Sequence, residues 1–346
     1  LTDILYLAHA MKEGKPATIK EIAKRLKISP STVSRALNDH PSIGLVTTMR
    51  VKKIAAELNY EPNQTAIFFK QRKTFTIGVV LPNISEPFFS AAISEIENVA
   101  SEKNYTVIMG QSLDDADREM RILQTLKAHR VDGVLMSISK NTQDYAFIEL
   151  MAGAGIPLVF FDCVPDLDTV HKVYCNLESG MLEAVDRFVS CGHCAISLIN
   201  GPNRLPASIE RETAYRKGLS SHGIPFRDEY VVYTDLTTEG NEEAISRLLA
   251  LPERPSAVVC FNDYVALDVM KMVRKRGISL NQDIHFISYA NYPLWKYMES
   301  PPMASIEQFP GNQGKKAAEL LFELIGSAEG REPVQITFPS RLVNPG

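Results

Sequence analysis

Residues 18–38, TIKEIAKRLKISPSTVSRALN, constrain the fold most tightly, because they read as two short helices crossing at a tight turn. Ile19, Ile22, Ala23 and Leu26 recur at i, i+3, i+4 and i+7, the spacing of one buried helical face. Ala23 is small where a second helix must cross closely. Lys27-Ile28 makes the turn. Ser29 can accept from the freed backbone N–H groups, and Pro30 suits the first helical position, where no N–H is needed. Val33, Ala36 and Leu37 bury the second helix. Its other face carries Ser31, Thr32, Ser34, Arg35 and Asn38. Such a face suits a DNA major groove, where short polar groups reach phosphates and Arg reads guanine. A generic helical hairpin inside an enzyme is the plainer alternative.

Charge favours nucleic acid. Residues 16–74 hold eleven Lys or Arg against four Asp or Glu, a net charge of +7. The whole chain of 346 residues carries −4 and residues 1–15 balance to zero, so residues 75–346 carry −11. A basic module on an acidic body is the footprint of a polyanion binder confined to one end. In residues 47–58, Val51, Ile54, Ala55 and Leu58 share one face of a third helix, while Arg50, Lys52 and Lys53 lie away from it and can meet phosphates. No apolar run approaches the length of a membrane span, and residues 1–15 lack the basic start and apolar stretch of a secretory signal.

From Phe75 onward strands and helices alternate. Strands are expected over 76–81, 105–109, 133–136, 157–161, 195–199, 230–233, 257–261 and 284–288, with helices between them, among them 88–103 and 119–129. This rhythm implies a parallel sheet with helices on both faces. Ligands of open α/β sheets bind beyond the carboxyl ends of the strands.

The fixed positions Thr18-Ile19, Ile22-Ala23, Ile28-Ser29, Thr32-Val33-Ser34-Arg35 and Leu37-Asn38 resemble the DNA-binding headpiece of the LacI/GalR family of bacterial transcription regulators. The resemblance continues to about Pro345. It implies an all-α helix-turn-helix headpiece at 16–61, a hinge at 62–74 and an effector-binding and dimerisation domain at 75–346. That domain would be periplasmic-binding-protein-like, with two doubly wound parallel-sheet lobes: lobe 1 at 75–174 and 305–333, lobe 2 at 175–304 and 334–346. The chain would cross between them near Cys175, Ala304 and Val334. Residues 1–15 would be an N-terminal extension, because Met11 sits where family members start.

The same resemblance implies a cytoplasmic homodimer bound to pseudo-palindromic double-stranded operator DNA, most often a repressor, with a small effector between the lobes and no membrane partner. Ser31 and Arg35 would read bases, with Pro30 in place of a side chain that often does so. Thr32, Ser34, Asn38 and Arg50 would hold phosphates, and Thr18 and Ser29 would belong to the same DNA-binding set. Tyr60 would pack back on the headpiece. In the hinge, Asn63, Ala66 and Phe69 would meet the minor groove, Phe69 standing where a wedging Leu is usual. In the cleft, Phe88 and Phe89 would wall the pocket. Asp162 and Arg211 would bind ligand donors and oxygens, and Asn262, Asp263, Asn291 and Ser137 would add polar contacts. Ala290 stands where a ligand-binding carboxylate is common and Leu236 where an aromatic shelf is expected. A site lacking those groups binds a different molecule, since each unmatched buried hydroxyl costs affinity. A sugar or sugar phosphate is the leading expectation, by analogy alone.

No cofactor or metal is expected. Five cysteines in a chain without an export signal imply reduced thiols. Cys191-Gly192-His193-Cys194 resembles a thiol oxidoreductase motif, but Gly-His before an apolar strand is also an ordinary helix-to-strand junction. A Cys-x-x-C oxidoreductase and a solute-binding protein without a DNA role are therefore the competing readings; no Gly-x-Ser-x-Gly elbow or phosphate loop supports a further enzyme class.

Overall fold

The computed structural model describes residues 17–60, 73–327 and 331–345. Asn63, Ala66, Phe69 and the extension at 1–15 lie outside them. The chain divides into two compact units, Leu1–Thr74 and Phe75–Gly346.

The described residues of the first unit form three helices: α1 (Ile19–Leu26), α2 (Pro30–Leu37) and α3 (Leu45–Glu57). Thr18 caps α1 by accepting from the Glu21 N–H at 3.3 Å. Lys27 ends it in the left-handed region, φ 54°. The core is Ile22, Ala23, Val33, Ala36, Val51 and Ala55, and Tyr60 packs against its edge. Helix α3 starts two residues before the expected Thr47, on Gly44, which gives no side-chain cap.

The second unit holds two six-stranded sheets. Lobe 1 contains β1 (Thr76–Leu81), α4 (Pro87–Glu102), β2 (Thr106–Gln111), α5 (Ala116–Ala128), β3 (Gly133–Met136), α6 (Ala146–Ala152), β4 (Leu158–Phe161) and β5 (His171–Asn176). Lobe 2 contains α7 (Leu177–Ser190), β6 (Ile196–Asn200), α8 (Pro206–Ser221), β7 (Val231–Tyr233), α9 (Thr238–Leu249), β8 (Ala257–Cys260), α10 (Asp263–Lys275), β9 (His285–Tyr289) and β10 (Ala304–Glu307). The chain then adds α11 (Pro310–Gly326) and β11 (Gln335–Pro339) to lobe 1 and β12 (Arg341–Val343) to lobe 2. The sheet orders are β11-β5-β4-β3-β1-β2 and β12-β10-β9-β8-β6-β7. Every pairing is parallel except β10 with β12.

Both lobes thus repeat one doubly wound order, in which the connection reverses direction between the first and third strands. That reversal opens a crevice at the strand ends: between β1 and β3 in lobe 1, and between β6 and β8 in lobe 2. Central strands such as β1, β3, β6 and β8 are buried nearly throughout because helices cover both faces of each sheet. Ile77, Val79 and Leu81 pack under α4 and α11, while Val80, Val134 and Met136 pack on the other face. Helix α11 approaches α4 so closely that a Cβ on Gly314 would stand 2.3 Å from the Ala92 carbonyl oxygen.

The crossings differ from two of the expected places. The first lies between Asn176 and Leu177. The second falls at Gln308 and Phe309 rather than near Ala304, because β10 pairs in register with β9 and keeps Ala304–Glu307 in lobe 2. The third falls at Ser340 rather than near Val334, because β11 extends the lobe 1 sheet beside β5. Ser340 ties the outer crossings together: its N–H donates to the Asn176 carbonyl at 3.1 Å and its Oγ accepts from the Gly180 N–H at 2.8 Å. No helix among the described residues is long and apolar enough to cross a membrane.

Candidate functional sites: a recognition helix and an interlobe cleft

Helix α2 is a rigid platform. Ser29 accepts from the Thr32 N–H at 3.1 Å, and its hydroxyl also meets Ser31 Oγ at 2.7 Å and Thr32 Oγ1 at 2.8 Å. Val33 and Ala36 are fully buried and fix the helix against α1 and α3. Ser31, Arg35 and Asn38 are exposed on the other face, and Thr32 and Ser34 are half-buried beside them. Asn38 donates through Nδ2 to the Ser34 carbonyl at 2.8 Å. Arg35 and Arg50 are exposed and have no ion-pair partner among the described residues. Lys52, expected to be free for phosphate, holds both Asp39 oxygens at 2.7 Å, so it is a surface ion pair in the free protein. Thr18 and Ser29 act as helix caps, and Pro30 occupies the first turn of α2.

The second site lies where the strand ends of the two lobes face each other. Its lobe 2 wall centres on Arg211, carried by α8 and only 4 % exposed. The guanidinium lies between two rings, 4.1 Å from the Phe261 centroid and 4.3 Å from that of Tyr289. Nε and Nη1 are buried with no hydrogen-bond partner. Burial lowers its pKa, opposed by Tyr289, Glu210, Cys163 and Asp162. A desolvated guanidinium with two donor atoms unanswered is incomplete, because an unpaired buried donor costs about 1–3 kcal/mol and a charged one more. It calls for oxygen acceptors from a ligand.

The lobe 1 wall is acidic. Asp162 ends β4 in a left-handed conformation, φ 59°. Ser137 Oγ donates to its Oδ2 at 3.2 Å. Burial pushes the Asp162 pKa up to about 6 against the bonds from Cys163 and Ser137. Glu86, at the end of the loop after β1, rises to about 7, first through burial and then through Asp162 and Asp114, with Lys140 opposing. Tyr264 and Tyr292 stand nearby with ring centroids 5.2 Å apart.

Several expected ligand residues have other duties. Asp263 is fully buried and accepts from Ser288 Oγ, from the Tyr292 N–H at 2.5 Å and from Ser305 Oγ at 3.4 Å. It fastens the strand ends of lobe 2 and presents no free oxygen, which corrects its assignment to the effector. Ser137, fully buried, positions Asp162 instead of meeting ligand directly. Phe88 and Phe89 are packed edge-to-face at 5.4 Å within the lobe 1 core, so they support the wall from behind. Asn262 caps α10 through Oδ1, accepting from the Val265 N–H at 3.0 Å. Asn291 receives from Ser305 Oγ no bond but donates to it through its N–H at 3.0 Å, and its Nδ2 donates to Glu307 at 2.9 Å; its buried Oδ1 has no partner. The sequence reading missed Glu86, Phe261, Tyr289, Tyr264 and Tyr292. Phe261 and Tyr289 lie at strand ends already assigned to the cleft, which was the available signal.

Cys191 and Cys194 are exposed free thiols, and no group of three or more metal-ligating side chains among the described residues is placed to hold an ion. Comparison with known proteins completes the picture. The family model for periplasmic binding proteins and sugar binding domain of LacI family matches residues 74–344, and that for bacterial regulatory proteins, lacI family, matches residues 18–63. The chain is 31% identical over 312 residues to the HTH-type transcriptional repressor PurR of Aliivibrio fischeri, covering 89% of this chain and 92% of that one. It is 28% identical over 305 residues to the catabolite control protein A of Priestia megaterium, covering 88% and 91%. Among solved structures, the lac repressor dimer bound to operator and an anti-inducer superposes with a TM-score of 0.82 at 22% identity, over 95% of this chain and 98% of that one. A complex of the transcriptional regulator CelR with cellobiose superposes at 0.69 with 26% identity, over 95% and 100%.

Proposed function

The chain belongs to the LacI family of bacterial regulatory proteins, and from that premise we propose that it is a repressor whose grip on a pseudo-palindromic operator is set by a small polar metabolite held between its lobes. The family assignment makes it a DNA-binding transcription regulator with an effector domain of periplasmic-binding type, and it sets aside the oxidoreductase and solute-binding readings. The observation that carries the proposal is Arg35: exposed, without an ion-pair partner, and projected from a helix that is capped at Ser29 and locked by Val33 and Ala36.

Two copies pair through their effector domains and set two such helices in successive major grooves. Ser31 and Arg35 read base edges. Thr32, Ser34, Asn38 and Arg50 hold phosphates, helped by the positive balance of residues 16–74. Asn63, Ala66 and Phe69 serve the hinge contact. Ligand oxygens complete Arg211 and ligand donors meet Asp162, so occupancy favours a closed arrangement of the lobes and alters operator affinity. A sugar-related molecule suits these groups, with Asn291 Oδ1 as a further acceptor. A mobility-shift titration of the full chain against its own upstream DNA tests the proposal. Binding at least a hundredfold tighter than to scrambled duplex is expected, and equal affinity for both refutes it.

A further inference from the structure

Helix α8 begins with a set of unanswered donors. Asn200, the last residue of β6, donates through Nδ2 to the Ser208 carbonyl at 2.9 Å, which pins the first turn of α8 to the strand end at the order reversal of lobe 2. The helix has 16 residues, and Leu205 at its capping position gives no side-chain cap. The Leu205 carbonyl takes the Ser208 and Ile209 N–H groups at 2.9 and 3.1 Å. Pro206 has no N–H, and that of Ala207 has no partner among the described residues. Ser208 is 1 % exposed, and its Oγ is buried without a hydrogen bond. Arg211 follows three positions later on the same face of the helix, with Nε and Nη1 in the same condition.

The charge is as unanswered as the donors. Among the described residues no ion pair involves Arg211. Three carboxylates at this end of lobe 2 are committed elsewhere. Glu210 accepts from the Leu177 N–H at 2.7 Å, Asp263 from Ser288 and the Tyr292 N–H, and Glu307 from the Phe309 N–H at 2.7 Å and Asn291 Nδ2 at 2.9 Å. The amino end of α8 adds positive potential of its own.

Building on the effector reading above, we propose that the effector is a hydroxylated carboxylic acid, of the sugar-acid class, whose carboxylate seats against Arg211 and the amino end of α8. A hydroxyl in that place accepts hydrogen bonds but leaves the buried charge unopposed. A carboxylate accepts them and cancels the charge, and charge-assisted bonds are about twice as strong as neutral ones. A phosphate dianion brings more negative charge than one guanidinium balances. The hydroxyls of the skeleton fall to acceptors. Asn291 Oδ1 is one, fixed as the oxygen because Nδ2 donates to Glu307. Asp162 takes others, as in the reading above, and so faces the uncharged end.

Matched probes test this on the full chain: galacturonate against galactose, glucuronate against glucose and gluconate against sorbitol, with glucose 6-phosphate as the dianion, each followed by thermal shift and calorimetry. At least one acid should bind about tenfold tighter than its neutral partner and than the phosphate. Arg211→Met keeps much of the packing against the Phe261 and Tyr289 rings and removes the charge. It should bring the pair within about twofold. It should also leave the melting temperature of the ligand-free chain no lower, since the buried charge it removes has no partner to lose. Ser208→Ala should weaken the acid about threefold and leave its neutral partner unchanged. A neutral-only response, or a stronger one to phosphate, overturns the inference and leaves the effector cleft standing. An acid preference that survives Arg211→Met overturns it by placing the selection elsewhere. A melting temperature several degrees lower in that variant overturns it too, by showing that the guanidinium was already satisfied. Silence from every probe counts against both the inference and the cleft.

Discussion

The headpiece and the cleft use the same side-chain chemistry under opposite conditions. On α2 the polar groups face solvent, and Arg35 has no partner within the described chain. In the cleft many polar groups are buried and already bonded within the protein, as at Asp263 and Ser137. A surface built to meet DNA can keep its donors idle because water serves them meanwhile. A buried cleft cannot, since an idle buried group raises the free energy of the fold. Those that remain idle there, Arg211 Nε and Nη1 and Asn291 Oδ1, are for that reason the ones that speak about a ligand.

The contrast can be tested from its largest consequence to its smallest. Asp263→Ala removes the acceptor for the Tyr292 N–H and two serine hydroxyls, and should cost the effector domain about 3 kcal/mol in a denaturant melt while leaving the headpiece transition in place. If Asp263 were a ligand group, the change would instead weaken effector binding at little cost in stability. The same carboxyl is raised from 3.8 to about 6 by burial. The folded state therefore holds its proton where the unfolded chain has lost it, so this group's contribution to stability falls as pH rises from about 4 to about 6. Asp263→Asn should flatten that slope.

Arg35→Ala should leave the melting curve unchanged and weaken operator binding by about 1–3 kcal/mol, relaxing preference at one base position. Equal loss on random DNA would demote Arg35 to a phosphate contact. Ser29→Ala, which removes the α2 cap, should lower headpiece stability by about 1 kcal/mol and operator affinity only through that loss. The smallest effect is expected at Lys52 and Asp39. Their pair is exposed, so Asp39→Ala should change stability by less than about 1 kcal/mol. Because it frees Lys52, it should also strengthen binding to DNA, more clearly at low salt.

The same contrast explains what was legible in the sequence. Helix faces follow from a period of 3.6, so the buried set Ile22, Ala23, Val33, Ala36 and Val51 and the outward set with Arg35 were both readable from spacing. Apolar strand runs exposed the α/β rhythm in the same way. What spacing cannot supply is a partner distant in sequence. Asp263 was assigned to the ligand because nothing local shows that Ser288, Tyr292 and Ser305 converge on it. The crossings fall at Phe309 and Ser340 because short strands such as β10 and β11 take their place from pairing, which periodicity does not encode. Glu86 escaped notice because a lone Glu before Pro-Phe-Phe looks like solvated loop until β4 brings Asp162 beside it.

Ser340 carries a mechanical consequence. By gripping Asn176 with its amide and Gly180 with its hydroxyl, it welds the first and last interlobe strands into one ribbon. A ribbon of that kind bends readily across its width but resists shear, since sliding either strand past the other would break both bonds. Bending at that ribbon therefore costs less than sliding, and a molecule lodged between the lobes meets the softer of the two motions.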